Sequence, residues 1–564
     1  MSRSRSLAYN PATSAMRHLF AAHATADDTG VPVADVLAAQ QERAAPDGGR
    51  QPSAAGRPGR RRVLIGAGVG AAAASGLLGS SAVAAAAAPS PSAAAGAAGT
   101  GPRIAIVGAG LAGLRTAHRL WADKRLHATV YDANPDRIGG RCWSLRGYFS
   151  GGLVAEHGGA FIDTSHTAIR RLVSRLGLHL ETVNGGDLST GKEIFRFDGK
   201  PYTYEQANAD WHDIGYAVFA RAAAAAPFPQ RYNNHTAEGA RLDRLSVPQW
   251  LDETGIGSSS RFGRLMLADV VSEYGGDPAD TSALNLLYLL ADNPRSSLNL
   301  IAGSDEKFHV KGGGDQIVTA MAGQLPGGSI KNGHELLALR RNSDNSYTLT
   351  FSVGAATTDV TADHVVLALP FSTLKNVDLT RSGLSPLKLR TIRSSRIGAN
   401  AKIHLELAKK TWPALGYSGA AYTDYTGFCT AWDGSTADGP NGAPALLIAF
   451  PGGTVGAHTL TGHAHGPAPD RDVAWFLNQI EPIYPGTTAA FTGRAYEDHW
   501  SADPWARGAY SYSGLGQATT TGGYEGVQEG RIHFAGEHTE TDSGFLNSAV
   551  VSGERVSREI TAQI

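Results

Sequence analysis

Cysteine is nearly absent from this chain of 564 residues, which contains only Cys142 and Cys429. Two thiols can form neither a thiolate metal cluster nor a disulfide framework. One bridge stays chemically open in an oxidising compartment, although both residues read as small buried side chains. An excess of charge of one sign is also lacking, with 50 Lys and Arg against 51 Asp and Glu. That balance removes the electrostatic case for nucleic acid or an anionic membrane as partner. The apolar run from Val63 to about Leu78 is mostly Ala and Gly and too short for a stable membrane span. What remains is a chain too long for one compact core, 42% hydrophobic, for which two or more domains are expected.

Residues 1–100 are rich in Ala, Gly, Ser and Pro and show no sustained amphipathic period. Arg60-Arg61-Arg62 precedes the apolar run, and Ala82-Val83-Ala84 follows it as an A-x-A cleavage site. The order basic, apolar, small predicts a signal peptide, and the adjacent arginines predict the twin-arginine route. Residues 1–100 are therefore expected to be a disordered leader with a signal peptide and linker. The mature protein is expected outside the cytoplasm, extracellular or periplasm-like. The stretch ahead of the arginines is long for a leader, which makes Met16 an alternative start.

After Arg103, Ile104-Ala105-Ile106-Val107 predicts a buried strand, and Gly108-Ala109-Gly110-Leu111-Ala112-Gly113 opens a helix. In such a turn Gly108 permits the sharp bend, Gly110 lets a phosphate approach the backbone and Gly113 allows close packing of helix on strand. A second strand, Ala128-Thr129-Val130-Tyr131, ends in Asp132, where a carboxylate can accept the hydroxyls of an adenosine ribose. Arg137-Ile138-Gly139-Gly140-Arg141 adds two glycines and two guanidinium groups suited to phosphate. It resembles the second glycine motif of the FAD enzymes that include amine oxidases, polyamine oxidases, L-amino acid oxidases and phytoene desaturases. Glu156-His157-Gly158-Gly159-Ala160-Phe161-Ile162-Asp163 is similar to the same group's next block, which runs beside the flavin ring.

Near the end, Arg531-Ile532-His533-Phe534-Ala535-Gly536 predicts a strand turning at glycine into Glu537-His538-Thr539. A helix opened by Asp542-Ser543-Gly544-Phe545-Leu546 would turn its positive end toward the reduced flavin's charge. This block resembles the closing motif of the flavin-containing amine oxidases. The resemblance implies FAD contacts at Gly108, Gly110, Ala112, Gly113, Asp132, Arg137, Gly140, Arg141, Gly159, Ala160, Phe161, Gly536, Glu537 and Leu546, and at Leu336 for adenine. It implies Glu537 at the ribityl–phosphate part, and Tyr510 and Phe545 as the paired aromatic walls before the flavin. The monoamine oxidases carry a flavin-linked cysteine just before the first of these aromatics. Ala509 stands there, so FAD is expected to be non-covalent. Lys402, in the alternating strand Ala401–Leu407, matches the family's lysine that holds a water against the flavin.

The implied fold is α/β: a discontinuous Rossmann-like FAD-binding domain with an inserted α+β substrate-binding domain. Residues 103–170, 306–370 and 493–564 fall to the first, and 171–305 and 371–492 to the second. The implied reaction converts an amine to an imine and then an aldehyde or ketone, with oxygen reduced to hydrogen peroxide. An L-amino acid oxidase and a dehydrogenase serving a carrier protein are the alternatives, beside a non-catalytic FAD or lipid binder. The amino acid oxidases carry an arginine where this chain has Phe161, which favours amines. Asp163 is a candidate for a second ammonium group or, equally, for a local backbone cap. His458, His463 and His465 read as a surface loop without metal. A homodimer stays open as the assembly.

Overall fold

The computed structural model describes residues 101–183, 192–300, 304–435 and 444–564. The leader, its arginines and the cleavage site lie outside the described residues. The unit Gly101–Ile564 is built on two large sheets.

A five-stranded parallel sheet has Ile104–Val107 at its centre, flanked by Ala128–Tyr131 and His364–Leu367, with Ile330–Lys331 and Ile532–Phe534 at the edges. All four residues of the central strand are buried, as a strand covered on both faces requires. The helix Leu111–Lys124 crosses from the central strand to its neighbour and packs against it at Gly113. A Cβ at Gly113 would stand 2.0 Å from the Gly108 carbonyl oxygen, so only glycine permits that approach. The closing helix Leu546–Thr561 lies across the same helix, where a Cβ on Gly553 would come 2.6 Å from the Ala112 carbonyl oxygen. Arg115 and Glu554 pair at this crossing.

The second sheet has eight strands, with Ala401–Leu407 between Ala445–Phe450 and Phe491–His499, and Lys192–Phe197 near the opposite edge. Alternation along Ala401–Leu407 does not mark a solvent face, for every residue of the strand is buried. Its polar members are bonded inside the protein: Glu406 accepts the Ser150 N–H at 2.6 Å and the Thr492 hydroxyl at 2.9 Å. Helices Tyr204–Asp210, Tyr216–Ala225 and Arg261–Tyr274 contribute to an apolar cluster beside this sheet. Cys142 and Cys429 are both free and buried. Among the described residues no helix is long and apolar enough to cross a membrane.

Candidate active site

The glycine loops of the parallel sheet meet at the mouth of the first helix. Gly110 bridges to Gly139, and a Cβ on Gly110 would meet nothing nearer than 4.0 Å. Gly140, at φ +56, would bring a Cβ to 3.6 Å of Gly110 Cα. The helix Leu111–Lys124 begins without a side-chain cap and without an acid in its first turn, and so does the closing helix. Two helix starts with free N–H groups beside open glycine surface fit the diphosphate and the anionic edge of a flavin dinucleotide.

The charged residues assigned to this region hold the protein's own backbone together. Asp132 accepts the Ala109 N–H at 2.6 Å and the Asn134 N–H at 2.9 Å, which ties the glycine turn to the end of the second strand. Arg137 lies 4.1 Å over the Trp143 ring, donates to the Gly140 carbonyl at 2.7 Å and stands 3.7 Å from Asp503. Arg141 donates to the Ala509 carbonyl at 2.5 Å and to Glu537 at 2.9 Å. Glu537 also accepts the Ser511 hydroxyl at 2.7 Å and the Gly544 N–H at 2.9 Å. Burial opposes its ionisation, yet Arg141, His538 and these bonds keep its pKa below the ordinary value. Gly159 lies against Leu546, the first residue of the closing helix, while Ala160 and Phe161 are half-buried and Phe161 stands 6.2 Å from the Trp432 ring. Gly536 turns the chain at φ +141, and Leu336 is buried beside a bulge in its strand.

Lys402 is buried and donates to the carbonyls of Glu156 at 2.9 Å and Gly158 at 2.6 Å. Burial lowers its pKa to about 8, against the opposing charges of Asp498, Glu156 and Glu306. Tyr510 is fixed by a backbone ladder in which Gly398 donates to its carbonyl at 2.7 Å and Ala509 donates to Gly398 at 2.8 Å. Its hydroxyl donates to the Ser272 carbonyl at 2.5 Å. The bend before it needs glycine: Gly508 sits at φ +145, and a Cβ there would meet Ile397 at 2.6 Å. Phe545 caps the closing helix with its ring 4.8 Å from His166. Asp163 takes the local role, accepting the Ser304 hydroxyl at 2.8 Å and the Glu306 N–H at 3.0 Å.

One cluster escaped the sequence reading. Asp498 pairs with Lys402 across neighbouring strands and accepts bonds from His157 at 2.6 Å, His465 at 2.7 Å and His404 at 3.1 Å. Burial opposes its charge, but the three histidines hold the carboxylate well below the usual range. His465 reaches a second carboxylate, Asp503, at 3.1 Å, and the two acids outweigh burial and raise its pKa. The surface-loop expectation for His465 is thus corrected: it is bonded on both ring nitrogens to acids. His404 was legible as the neighbour of Lys402 on one strand face, and His157 as a member of the glycine block. Asp498 carried no motif of its own.

The chain matches the family model described as flavin containing amine oxidoreductase over residues 111–561. A flavin-dependent L-tryptophan oxidase of Lentzea aerocolonigenes is 26% identical over 82% of this chain and 98% of its own length. A putative flavin-containing monoamine oxidase of Mycobacterium tuberculosis is 26% identical over 81% and 96%. Among solved structures, cyclohexylamine oxidase from Brevibacterium oxydans superposes with a TM-score of 0.69 at 22% identity, covering 82% of this chain and 99% of that one, a likeness of fold. With a uncapped pair of helix starts for the dinucleotide, a buried lysine and a family match over most of its length, this chain belongs to the flavin-containing amine oxidoreductases.

Proposed function

We propose that the protein oxidises an amine to its imine, which water hydrolyses to an aldehyde or ketone. FAD, held without a covalent link because Ala509 offers no thiol, would supply the hydride acceptor, with oxygen as the final oxidant and hydrogen peroxide as its product. Gly108, Gly110, Gly113, Gly140 and the two uncapped helix starts would hold it. Tyr510 and Phe545 would flank the amine, excluding water and favouring the nitrogen electrostatically. Lys402 commits two of its N–H bonds to carbonyls and keeps its remaining site for a water. Buried at a pKa near 8, it can move a proton to or from that water around neutral pH.

The observation that carries amine over amino acid is the chemistry around Tyr510, carboxyl groups and Phe161 rather than an arginine. Burial, Glu273 and Glu306 all push the Tyr510 hydroxyl pKa up, and Phe161 occupies the place of a carboxylate-binding arginine. An α-carboxylate would face these carboxyl groups instead of a bidentate guanidinium partner. An L-amino acid oxidase is the second reading, supported by relatives such as an L-amino-acid oxidase of Mus musculus at 24% identity, covering 81% of this chain and 70% of the relative. The test is anaerobic titration of the purified flavoprotein with amines and L-amino acids. Bleaching of the oxidised flavin band by amines alone is expected; bleaching by amino acids in preference overturns the proposal. Admitting air should restore the band with peroxide formed. Export by the twin-arginine route belongs to the same proposal and rests on Arg60-Arg61-Arg62 and the apolar run that follows.

A further inference from the structure

Four carboxyl groups from three stretches of chain gather around Tyr422, and two of them, Glu273 and Glu306, also act on Tyr510. Glu193 lies on the strand Lys192–Phe197, Asp269 and Glu273 lie on the helix Arg261–Tyr274, and Glu306 stands ahead of the strand Phe308–Val310. The helix packs against the strands Lys192–Phe197 and Tyr417–Thr423. Asp269 and Glu273 share one helix face, about 6 Å apart along the axis. Tyr510 is joined to this helix through the Ser272 carbonyl, next to Glu273.

Asp269 is 0% exposed, and both of its carboxyl oxygens are buried without a hydrogen-bond partner. Such a group is costly to leave unmatched and calls for an explanation. Its charged neighbours are Glu273 and Glu193, both of its own sign. Glu193, Glu273 and Glu306 keep part of their surface open, yet burial raises the pKa of each, Glu273 to about 7 and Glu306 to about 8. Open surface that is also strongly desolvated lines a recess within the protein. Tyr422, on the strand Tyr417–Thr423, feels all four acids, after burial, in its own raised pKa. Asp163, which also acts on Glu273 and Glu306, is already bonded to Ser304 and to the Glu306 backbone. Lys402 is the cation that Glu306 acts upon, and it faces the flavin-site carbonyls. Four acids outnumber what one reacting amino group can neutralise.

We propose that the substrate is an alkyl di- or polyamine, with one amino group reacting between Tyr510 and Phe545 and a distal ammonium held by Glu273 and Asp269, flanked by Glu193 and Glu306. This deepens the amine oxidase reading and rests on it. The second-ammonium role that Asp163 offered from sequence passes to these residues.

The test compares α,ω-diaminoalkanes with n-alkylamines of matched length in anaerobic flavin reduction by the whole holoenzyme. The diamines are expected to bind at least about tenfold more tightly, and Glu273→Gln and Asp269→Asn should each bring the two dissociation constants together. A parallel measurement uses an inert bis-quaternary ammonium salt, whose stabilisation of the wild-type melting temperature should shrink in both variants. Folding of the variants is read from flavin content and the unliganded melt. Equal binding of mono- and diamines, or a diamine preference that survives both substitutions, overturns the inference. If no amine bleaches the flavin but the inert dication still stabilises wild type over the variants, the oxidase reading falls while the cation site stands. Absence of that stabilisation as well would remove the site.

Discussion

Asp498 offers a direct measure of how far the second sheet depends on one buried charge. Its carboxylate is fully enclosed and accepts bonds from His157, His404 and His465 at 2.6 to 3.1 Å. In Asp498→Asn the amide oxygen can accept from two donors at most, and the new NH2 faces a ring nitrogen that was itself donating. One bond to a charged acceptor is lost outright and the others become neutral, at about 1.5–3 kcal/mol for each bond to a charged group. His465 also loses one of its two acids. Together these effects amount to about 3–5 kcal/mol, the range for breaking a buried ion pair. For the unit Gly101–Ile564, an unfolding entropy of about 2 cal/mol/K per residue makes 1 °C of melting temperature worth roughly 1 kcal/mol. The melting temperature of the holoenzyme should therefore fall by about 3–5 °C in differential scanning calorimetry. A variant melting within about 1 °C of wild type would show that the histidines are satisfied without the charge, and the estimate fails.

Two further outcomes follow from the backbone and from the acids. Gly508→Ala forces a Cβ into a conformation at φ +145 against Ile397, a strain of about 1–3 kcal/mol; because Tyr510 lies two residues on, both the melting temperature and the rate of flavin reduction should drop, and an unchanged rate would separate this bend from the aromatic wall. Burial raises Glu273 and Glu306 from 4.5 to about 7 and 8, so the folded protein binds more protons than the unfolded chain. Their contribution to stability is full below about pH 4.5 and is lost as pH climbs through 7 to 8. Over the same interval the recess formed with Asp163, Glu193 and Asp269 gains negative charge while Lys402 begins to lose its own, so an inert dication should stabilise the protein more at about pH 9 than at about pH 6; melting curves showing the reverse order would refute it.

The parts of the fold that repeat a local rule were readable from sequence. Ile104–Val107 followed by glycines and an apolar-faced helix obeys the strand–turn–helix pattern, and the observed strand and helix fall where that pattern puts them. Ala401–Leu407 was equally visible as a strand, but its polar face was misleading in isolation: whether Lys402, His404 and Glu406 meet water depends on what packs over them, and Phe491–His499 lies far off in sequence. The same distance hid Asp498. Arg261–Tyr274 is a helix in which Asp269 and Glu273, taken without their neighbours, would pass for residues of an ordinary wet face. Only the strands Lys192–Phe197 and Tyr417–Thr423 packing against the helix turn that face inward. Glycine and strand signals are local and survive in one dimension; the acidic recess and the histidine cluster are products of chain crossings.

The parallel sheet has a consequence for the order of synthesis. Its edge strand Ile532–Phe534 and the helix Leu546–Thr561, which crosses Leu111–Lys124 at Gly553, follow every other described strand of both large sheets, whereas the central strand precedes them all. A chain still on the ribosome can form the eight-stranded sheet before it can close the nucleotide site, reversing the usual order in which N-terminal structure settles early. Early glycine loops must wait, unclosed, for a helix translated long after them. Loss of the helix Leu546–Thr561 would therefore leave the N-terminal strands without their cover and the nucleotide site open.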